Sequence, residues 1–290
     1  MSNNSILSVE KLGITFGGIH ALEDISFDVK EKSITAIIGP NGAGKTTLFN
    51  CLTGFYNASK GALYFNEKHR RINIRALLGM PFQLGYLLSP YELYQCLYYK
   101  MFGGSHLVAQ LGIARTFQNI RLFKEMTVVE NLLVAQHIFA HRNLLSGLFN
   151  TKKFQHWENQ ALEIAFYWLA NFHLTAQANR LAGELSYGQQ RHLEIARCLC
   201  LKPKLLCLDE PAAGLNPQET EELSILLQHL KQSLELSILL IEHDMNMVMG
   251  ISDQIVVLDH GKVICQGSPE MVRDNKRVIA AYLGIEQDAA

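Results

Sequence analysis

A glycine-rich loop between an apolar segment and a helical one constrains this chain more than any other feature. Residues 39–46 read GPNGAGKT and match the phosphate-binding pattern G-x-x-x-x-G-K-[ST] in full. The loop follows the β-branched segment 34–38 and opens a helical run, 46–53, which Gly54 ends. Glycines let backbone N–H groups turn inward around phosphates, and the helix N-terminus adds favourable positive potential. The pattern predicts a site for phosphate groups at the end of a central strand.

Other apolar segments predict the sheet that carries this loop. Four short runs are expected to be strands: 205–208, 238–241, 255–258 and 263–265. The last two are separated by His260-Gly261 and predict a hairpin. Segments 7–16 and 21–29 suggest a smaller antiparallel layer. Short apolar runs that alternate with longer helical patterns indicate an α/β fold.

Between positions 119 and 184 the pattern becomes helical and interrupts the series of strands. Apolar residues recur there at helical spacing: Val128, Val129, Leu132, Leu133, then Leu162, Ala165, Phe166 and Leu169. We therefore expect a separate helical lobe.

Two carboxylates, Asp209 and Glu210, close the predicted strand 205–208. Open α/β sheets place ligands at the C-terminal ends of their strands. Asp209 can hold Mg²⁺ directly or through water, and Glu210 is then placed to polarise an attacking water. An acidic pair at a strand end is usually a solvated edge, but beside a phosphate loop the functional interpretation is favoured.

A third motif, LSYGQQ at 185–190, runs into Arg191 and Glu194. Ser186 and the backbone of Gly188 stand at the mouth of a predicted helix, 189–200, which makes a second anion site. A plain helix N-cap would explain Ser186 but not its coincidence with the other motifs.

Together these motifs resemble those of ABC cassettes, because L-S-x-G-Q is the signature that kinases and GTPases with phosphate loops lack. Longer strings resemble the ATP-binding subunits of bacterial branched-chain amino-acid importers, the LivG type: 39–54, 114–123, 185–197, 212–217 and 281–284. Cassettes of urea importers and lipopolysaccharide exporters are near relatives and share much of the sequence of these strings.

The resemblance implies that two cassettes bind two Mg-ATP molecules between them. The signature of each cassette then completes the ATP site of the other. The implied ATP contacts are Phe16, Gly39, Pro40, Asn41, Gly42, Ala43, Gly44, Lys45, Thr46, Thr47 and Gln118. The implied catalytic residues are Lys45, Glu210 and His243, and the implied Mg²⁺ ligands are Thr46, Gln118 and Asp209. The signature residues that act on the opposite site are Ser186, Tyr187, Gly188 and Gln189. Phe16, expected under adenine, could instead be a core residue at a strand end, and His243 could be structural.

The resemblance also implies the fold class: α/β, a RecA-like P-loop NTPase in the form of an ABC cassette, with an N-terminal antiparallel β subdomain and a helical subdomain. The expected division is a nucleotide-binding core over 1–117, which includes an atypical inserted segment over 67–106, a helical subdomain over 118–185, the second part of the core over 186–267, and a C-terminal helical tail over 268–290.

Composition limits the partners. A formal net charge of −1 gives no field that collects nucleic acid or anionic lipid, and no apolar stretch reaches the ~20 residues that span a bilayer. With the resemblance, this implies a cytoplasmic protein, peripheral on the inner face of the cell membrane. The implied partners are integral-membrane permease subunits, a second ABC cassette (a sister subunit or a second copy) and, indirectly, a periplasmic or extracellular substrate-binding protein.

Rival functions remain from other classes. A soluble ABC ATPase that acts on nucleic acid or ribosomes carries long coiled coils or tandem cassettes, and neither pattern is present in this sequence. A non-catalytic regulatory cassette is disfavoured because Glu210 and His243 are retained.

Two features depart from the family pattern. Asn216 stands where many ABC proteins have the aspartate of the D-loop, and the inserted segment, 67–106, is rich in Tyr. Within the insert, 89–102 predicts a helix that begins with a Ser cap and a Pro. This helix either packs on its own domain or provides a docking surface, with Tyr94 and Tyr98, for a membrane partner.

Overall fold

The computed structural model describes residues 4–67, 70–79, 98, 103–139 and 152–283. The chain divides into two compact units. The first comprises Met1–Arg115, Lys204–Ala212 and Thr220–Ala290, and the second comprises Thr116–Pro203 and Ala213–Glu219. Across the described ranges, no helix combines the length and apolarity that a membrane span requires. The four-part division expected from the sequence stays a prediction.

Both β-sheets belong to the first unit. The strands are β1 Ser5–Phe16, β2 Ile19–Lys30, β3 Ile34–Ile38, β4 Lys60–Glu67, β5 Arg70–Asn73, β6 Ile113–Arg115, β7 Leu205–Asp209, β8 Ser237–Ile241, β9 Gln254–Asp259 and β10 Lys262–Gly267. The helices of the whole described chain are α1 Lys45–Leu52, α2 Ile74–Leu77, α3 Ser105–Gln110, α4 Val128–Gln136, α5 Lys152–Asn171, α6 Tyr187–Leu199, α7 Pro217–Leu234, α8 Met245–Ile251, α9 Pro269–Arg273 and α10 Lys276–Leu283.

The larger sheet has the strand order β10-β9-β3-β8-β7-β6. Its neighbours pair in parallel except β10, which forms the predicted antiparallel hairpin with β9. Every residue of β3, β7 and β8 is buried, because both faces of a central parallel strand are covered. Asp209, the last residue of β7, pairs with Ile241 at the end of β8, so the two strands end side by side.

The smaller sheet has the order β2-β1-β4-β5 and is antiparallel throughout. Leu7 of β1 lies opposite Val29 of β2 and Phe65 of β4, and all three side chains are buried. They share one hydrophobic cluster with Phe49 of α1 and Leu239 of β8. The antiparallel layer predicted from the sequence is confirmed, and its core is continuous with that of the parallel sheet.

Three helices, α4, α5 and α6, pack together in the second unit. Helix α4 begins at a capping box between Thr127 and Glu130, and Val128 and Leu132 are buried. Phe166 of α5 is exposed, and the buried side of this helix includes Ala165, Trp168 and Leu169.

Most of the insert predicted at 67–106 lies outside the described residues, as does the predicted helix 89–102 apart from the single position Tyr98. In the described part, Arg70–Asn73 adds the edge strand β5, and Gly104 stands at the N-cap of α3. The two interpretations of the insert, a core helix and a docking surface, stay predictions.

Candidate nucleotide-binding site

The phosphate loop joins β3 to α1 through glycines with left-handed backbone. Gly39 has φ +152°, and a Cβ added there would lie 2.1 Å from the carbonyl oxygen of Leu258 in β9. Any larger residue would collide with backbone, so the loop must begin with glycine. At Gly42, with φ +83°, an added Cβ would meet no described atom within 4 Å. The loop therefore packs closely against β9 at Gly39 and has free space around Gly42.

Lys45 directs its ammonium group into this loop. Its Nζ donates to the carbonyl oxygens of Gly39 at 2.7 Å and Pro40 at 3.0 Å. Burial lowers the pKa of Lys45, and the nearby carboxylate of Glu210 opposes that shift. The N-cap of α1 is Gly44, which has no side chain with which to cap the first N–H groups of the helix. An ammonium group and the N–H donors of a helix start are the donor set that phosphates require, so these residues fit a nucleotide.

Asp209 is held at the end of β7 by Arg115, a residue that sequence reasoning did not select. Arg115 Nη2 lies 3.2 Å from Asp209 Oδ2, and both side chains are nearly buried. Arg115 Nη1 donates to Asn50 Oδ1 at 2.6 Å and to Thr53 Oγ1 at 2.8 Å. Its guanidinium carbon lies 4.8 Å from the ring centroid of Phe55. The sequence signal that could have identified Arg115 is a charged residue at the end of an apolar strand.

Hard oxygen ligands are also available in the first unit. Asp209 offers a carboxylate, and the hydroxyl group of Thr46 belongs to an exposed residue at the start of α1. Carboxylate and hydroxyl oxygens suit Mg²⁺, so both residues fit the predicted metal. The third predicted ligand, Gln118, belongs to the second unit, where its backbone carbonyl oxygen accepts a hydrogen bond from Arg191 Nη2 at 3.0 Å.

Glu210 and His243 meet where β7 and β8 end. Glu210 has a left-handed backbone, φ +47°, and its N–H donates to the carbonyl oxygen of Ile241 at 2.9 Å. Its Oε2 lies 4.0 Å from His243 Nδ1. Glu210, which is expected to polarise the attacking water, and His243, which the resemblance implies to be catalytic, are therefore neighbours on the same edge of the sheet.

A buried glutamate, Glu242, fixes the turn beneath them. Its carboxylate accepts from the N–H groups of Ala212 at 2.7 Å, His243 at 3.0 Å and Asp244 at 3.5 Å. Burial raises the pKa of Glu242, and the three N–H donors act against that shift. Sequence reasoning missed this residue because a glutamate beside a strand end is usually solvated.

We expect Glu242→Ala to destabilise the chain by about 2–4 kcal/mol, because it leaves the buried N–H of Ala212 and the part-buried N–H groups of His243 and Asp244 without this acceptor. ATP hydrolysis should fall as well, because His243 loses its anchor. Urea unfolding and hydrolysis assays measure the two effects. The matched control is Glu235→Ala, since Glu235 forms only an exposed pair with Lys32, and it should change stability by less than about 0.5 kcal/mol. Equal stability of the two variants would contradict the anchoring role.

Phe16 lies at the end of β1 and is 45% exposed, which is not the environment of a core phenylalanine. Its ring contacts Tyr56 edge to face, with 5.4 Å between centroids. An exposed aromatic face can stack on a base. The assignment of Phe16 to adenine stays a prediction.

In the second unit, the signature motif forms the start of α6. Ser186 is the N-cap, and its Oγ accepts from the N–H of Gln189 at 3.3 Å while Gln189 Oε1 accepts from the N–H of Ser186 at 3.2 Å. This capping box starts the helix at Tyr187, two residues before the predicted start. An added Cβ on Gly188 would lie 2.7 Å from Glu219 Oε1, so glycine permits the close approach of the Glu219 side chain.

Asn216 has a local structural role that accounts for its side chain. Its Oδ1 accepts from the N–H of Glu219 at 2.9 Å, and its own N–H donates to Glu219 Oε2 at 3.0 Å. This reciprocal cap begins α7. Asn and Asp cap helices about equally well, so the departure from aspartate at this position preserves the start of the helix.

Comparison with protein families agrees with this geometry. A family model described as "ABC transporter" matches residues 22–95 and 99–213. A second model, described as "Branched-chain amino acid ATP-binding cassette transporter", matches residues 262–287.

Curated relatives match the chain over nearly its whole length. The high-affinity branched-chain amino acid transport ATP-binding protein BraF of Pseudomonas aeruginosa is 48% identical, with 96% of this chain and 98% of the relative covered. The protein of the same description named LivG in Escherichia coli is 46% identical with the same coverage. Among solved structures, the ADP conformation of an ATP-binding cassette of an ABC transporter has a TM-score of 0.72 at 33% identity and covers 97% of this chain and 99% of its own.

Proposed function

The chain belongs to the ABC transporter family and is one of its ATPase cassettes, and from this premise we propose that it energises the uptake of branched-chain amino acids. The proposal depends above all on one arrangement, in which the phosphate loop, Asp209, Glu210 and His243 stand at the ends of neighbouring strands. The substrate class comes from the relatives, which are described as high-affinity branched-chain amino acid transport proteins.

The proposed chemistry is hydrolysis of the γ-phosphate of ATP. The phosphate loop and Lys45 hold the phosphates, and Glu210 polarises the attacking water. His243 and Lys45 stabilise the charge that develops on the transferring group. Thr46 and Asp209 would hold Mg²⁺, which would neutralise charge on the phosphate oxygens. The signature residues 186–189 serve the nucleotide of a second cassette.

The proposed setting is the inner face of a cell membrane. The cassette works there with integral-membrane permease subunits and with a second cassette, either a sister subunit or a second copy. A substrate-binding protein outside the membrane delivers the amino acid to the permease, so this chain never contacts the transported molecule. The reaction that we propose for this chain itself is the hydrolysis of ATP.

The proposal is tested by uptake of labelled leucine, isoleucine and valine in cells that lack the chain. Complementation with the parent chain should restore uptake, and complementation with Glu210→Gln should not. Recovery of the tagged chain from membranes, with its partners identified by mass, checks the assembly. Restored transport of urea or lipopolysaccharide in place of amino acids would favour a related transporter. Recovery with ribosomes or nucleic acid, and without a permease, would contradict the transporter role.

A further inference from the structure

A fully buried ion pair lies on the signature helix α6, immediately after the motif. Arg191 Nη1 donates to Glu194 Oε2 at 2.8 Å, and neither side chain is exposed to solvent. Burial raises the pKa of Glu194, and Arg191 opposes that shift. Buried pairs give little net stability, because desolvation of both charges offsets their attraction. A geometric role is therefore the better explanation of this pair.

Both members of the pair also bind the backbone of the segment that contains Gln118. Arg191 donates to the carbonyl oxygens of Phe117 at 2.9 Å and Gln118 at 3.0 Å. Glu194 Oε1 accepts from the N–H groups of Phe117 at 3.4 Å and Arg121 at 3.3 Å. Two side chains on one helix thus hold both ends of segment 117–121.

The same arginine reaches the signature and, through it, the loop before α7. Arg191 Nη2 lies 3.4 Å from the hydroxyl oxygen of Tyr187. An added Cβ on Gly214 would lie 3.0 Å from the ring of Tyr187, so this ring packs closely on the loop. Every contact in this set belongs to the second unit.

We propose that Arg191 and Glu194 are positioning residues that lock segment 117–121 to the signature helix. Gln118, which serves the ATP of its own cassette, and Ser186, which completes the site of the opposite cassette, then keep one fixed relative position. This inference rests on the proposed function. It adds two positioning residues that touch no nucleotide and act through the backbone of segment 117–121.

The test uses the double variant Arg191→Met with Glu194→Leu in the full chain. Removing both charges together leaves no lone buried charge, but four backbone groups of segment 117–121 lose their partners, so the melting temperature should fall by several degrees. ATP affinity of the single chain should stay within about threefold, since the phosphate loop is untouched. Hydrogen exchange at the amides of Phe117 and Arg121 should accelerate at least about tenfold, because both lose their acceptor. Hydrolysis should fall roughly 10²-fold through loss of alignment.

The matched control is Arg180→Met with Glu184→Leu, an exposed pair in the same unit with 3.6 Å between Arg180 Nε and Glu184 Oε2. It should alter neither exchange at segment 117–121 nor hydrolysis. Parent-rate hydrolysis in the Arg191/Glu194 double variant would overturn the proposal, and so would lost hydrolysis with unchanged exchange of the two amides.

If the double variant melts far below the parent, Arg191→Lys decides the question. Lysine keeps the charge beside Glu194 but cannot bridge two carbonyl oxygens as the guanidinium fork does. A stable Arg191→Lys variant with at least about tenfold slower hydrolysis supports the lock, and parent-rate hydrolysis overturns it. Glu210→Gln is assayed in parallel. If that change leaves hydrolysis intact, the proposed function has failed, whereas failure of the lock variants alone leaves the function standing.

Discussion

Replacing Glu210 with glutamine is expected to slow ATP hydrolysis by roughly 10²–10⁴-fold, the contribution of a general base. This corresponds to about 3–5 kcal/mol of transition-state stabilisation. The Glu210 carboxylate lies beside His243 at the strand ends. Glutamine has nearly the same shape but cannot accept a proton from water. ATP should still bind, and the closed pair of cassettes should accumulate, which size-exclusion chromatography with Mg-ATP measures.

The control for this change is Glu235→Gln, at an exposed glutamate of the same unit. It removes the same charge away from the strand ends and should leave hydrolysis unchanged. Hydrolysis at the parent rate by Glu210→Gln in the assembled transporter would make the assignment of Glu210 wrong.

Replacing Ser186 with arginine is expected to abolish hydrolysis at the ATP site that this residue completes. The single chain should still bind ATP nearly as well as the parent, because the signature serves the opposite cassette. Loss of the N-cap alone costs about 1 kcal/mol of stability. Hydrolysis by the assembled complex and ATP binding by the isolated chain are the two measurements.

Thr127→Arg provides a control with the same local cost. Thr127 caps α4 through the same kind of capping box and belongs to no predicted site. Both arginine variants should lose similar stability, and only Ser186→Arg should lose hydrolysis. An equal loss of ATP binding by the isolated Ser186→Arg chain would place the signature in the chain's own pocket and contradict the head-to-tail model.

Local patterns predicted much of this molecule because its chemistry is carried by contiguous motifs. The phosphate loop, the strand that ends in Asp209 and the hairpin of β9 and β10 are each specified by neighbouring residues. Ser186 was weighed as a plain N-cap, and it does cap α6. The family and the α/β fold predicted from these motifs are confirmed by the comparisons.

The rest could not be predicted, because buried polar residues depend on partners distant in sequence. Arg115 binds Asp209 across 94 positions, and Arg191 binds the carbonyl oxygen of Phe117 across 74. No spacing rule connects such residues. Helical spacing defines the buried face of a helix only to within a residue or two, and in α5 Phe166 is exposed whereas Trp168 is buried.

The left-handed backbone of Glu210 has an evolutionary consequence. Glu210 has φ +47°, and a residue other than glycine in this conformation costs about 1–2 kcal/mol. The glutamate at this position therefore lowers the stability of the chain. A lineage released from the need for turnover would gain stability by replacing Glu210 with glycine. Selection for stability therefore favours glycine at position 210, whereas selection for hydrolysis favours glutamate.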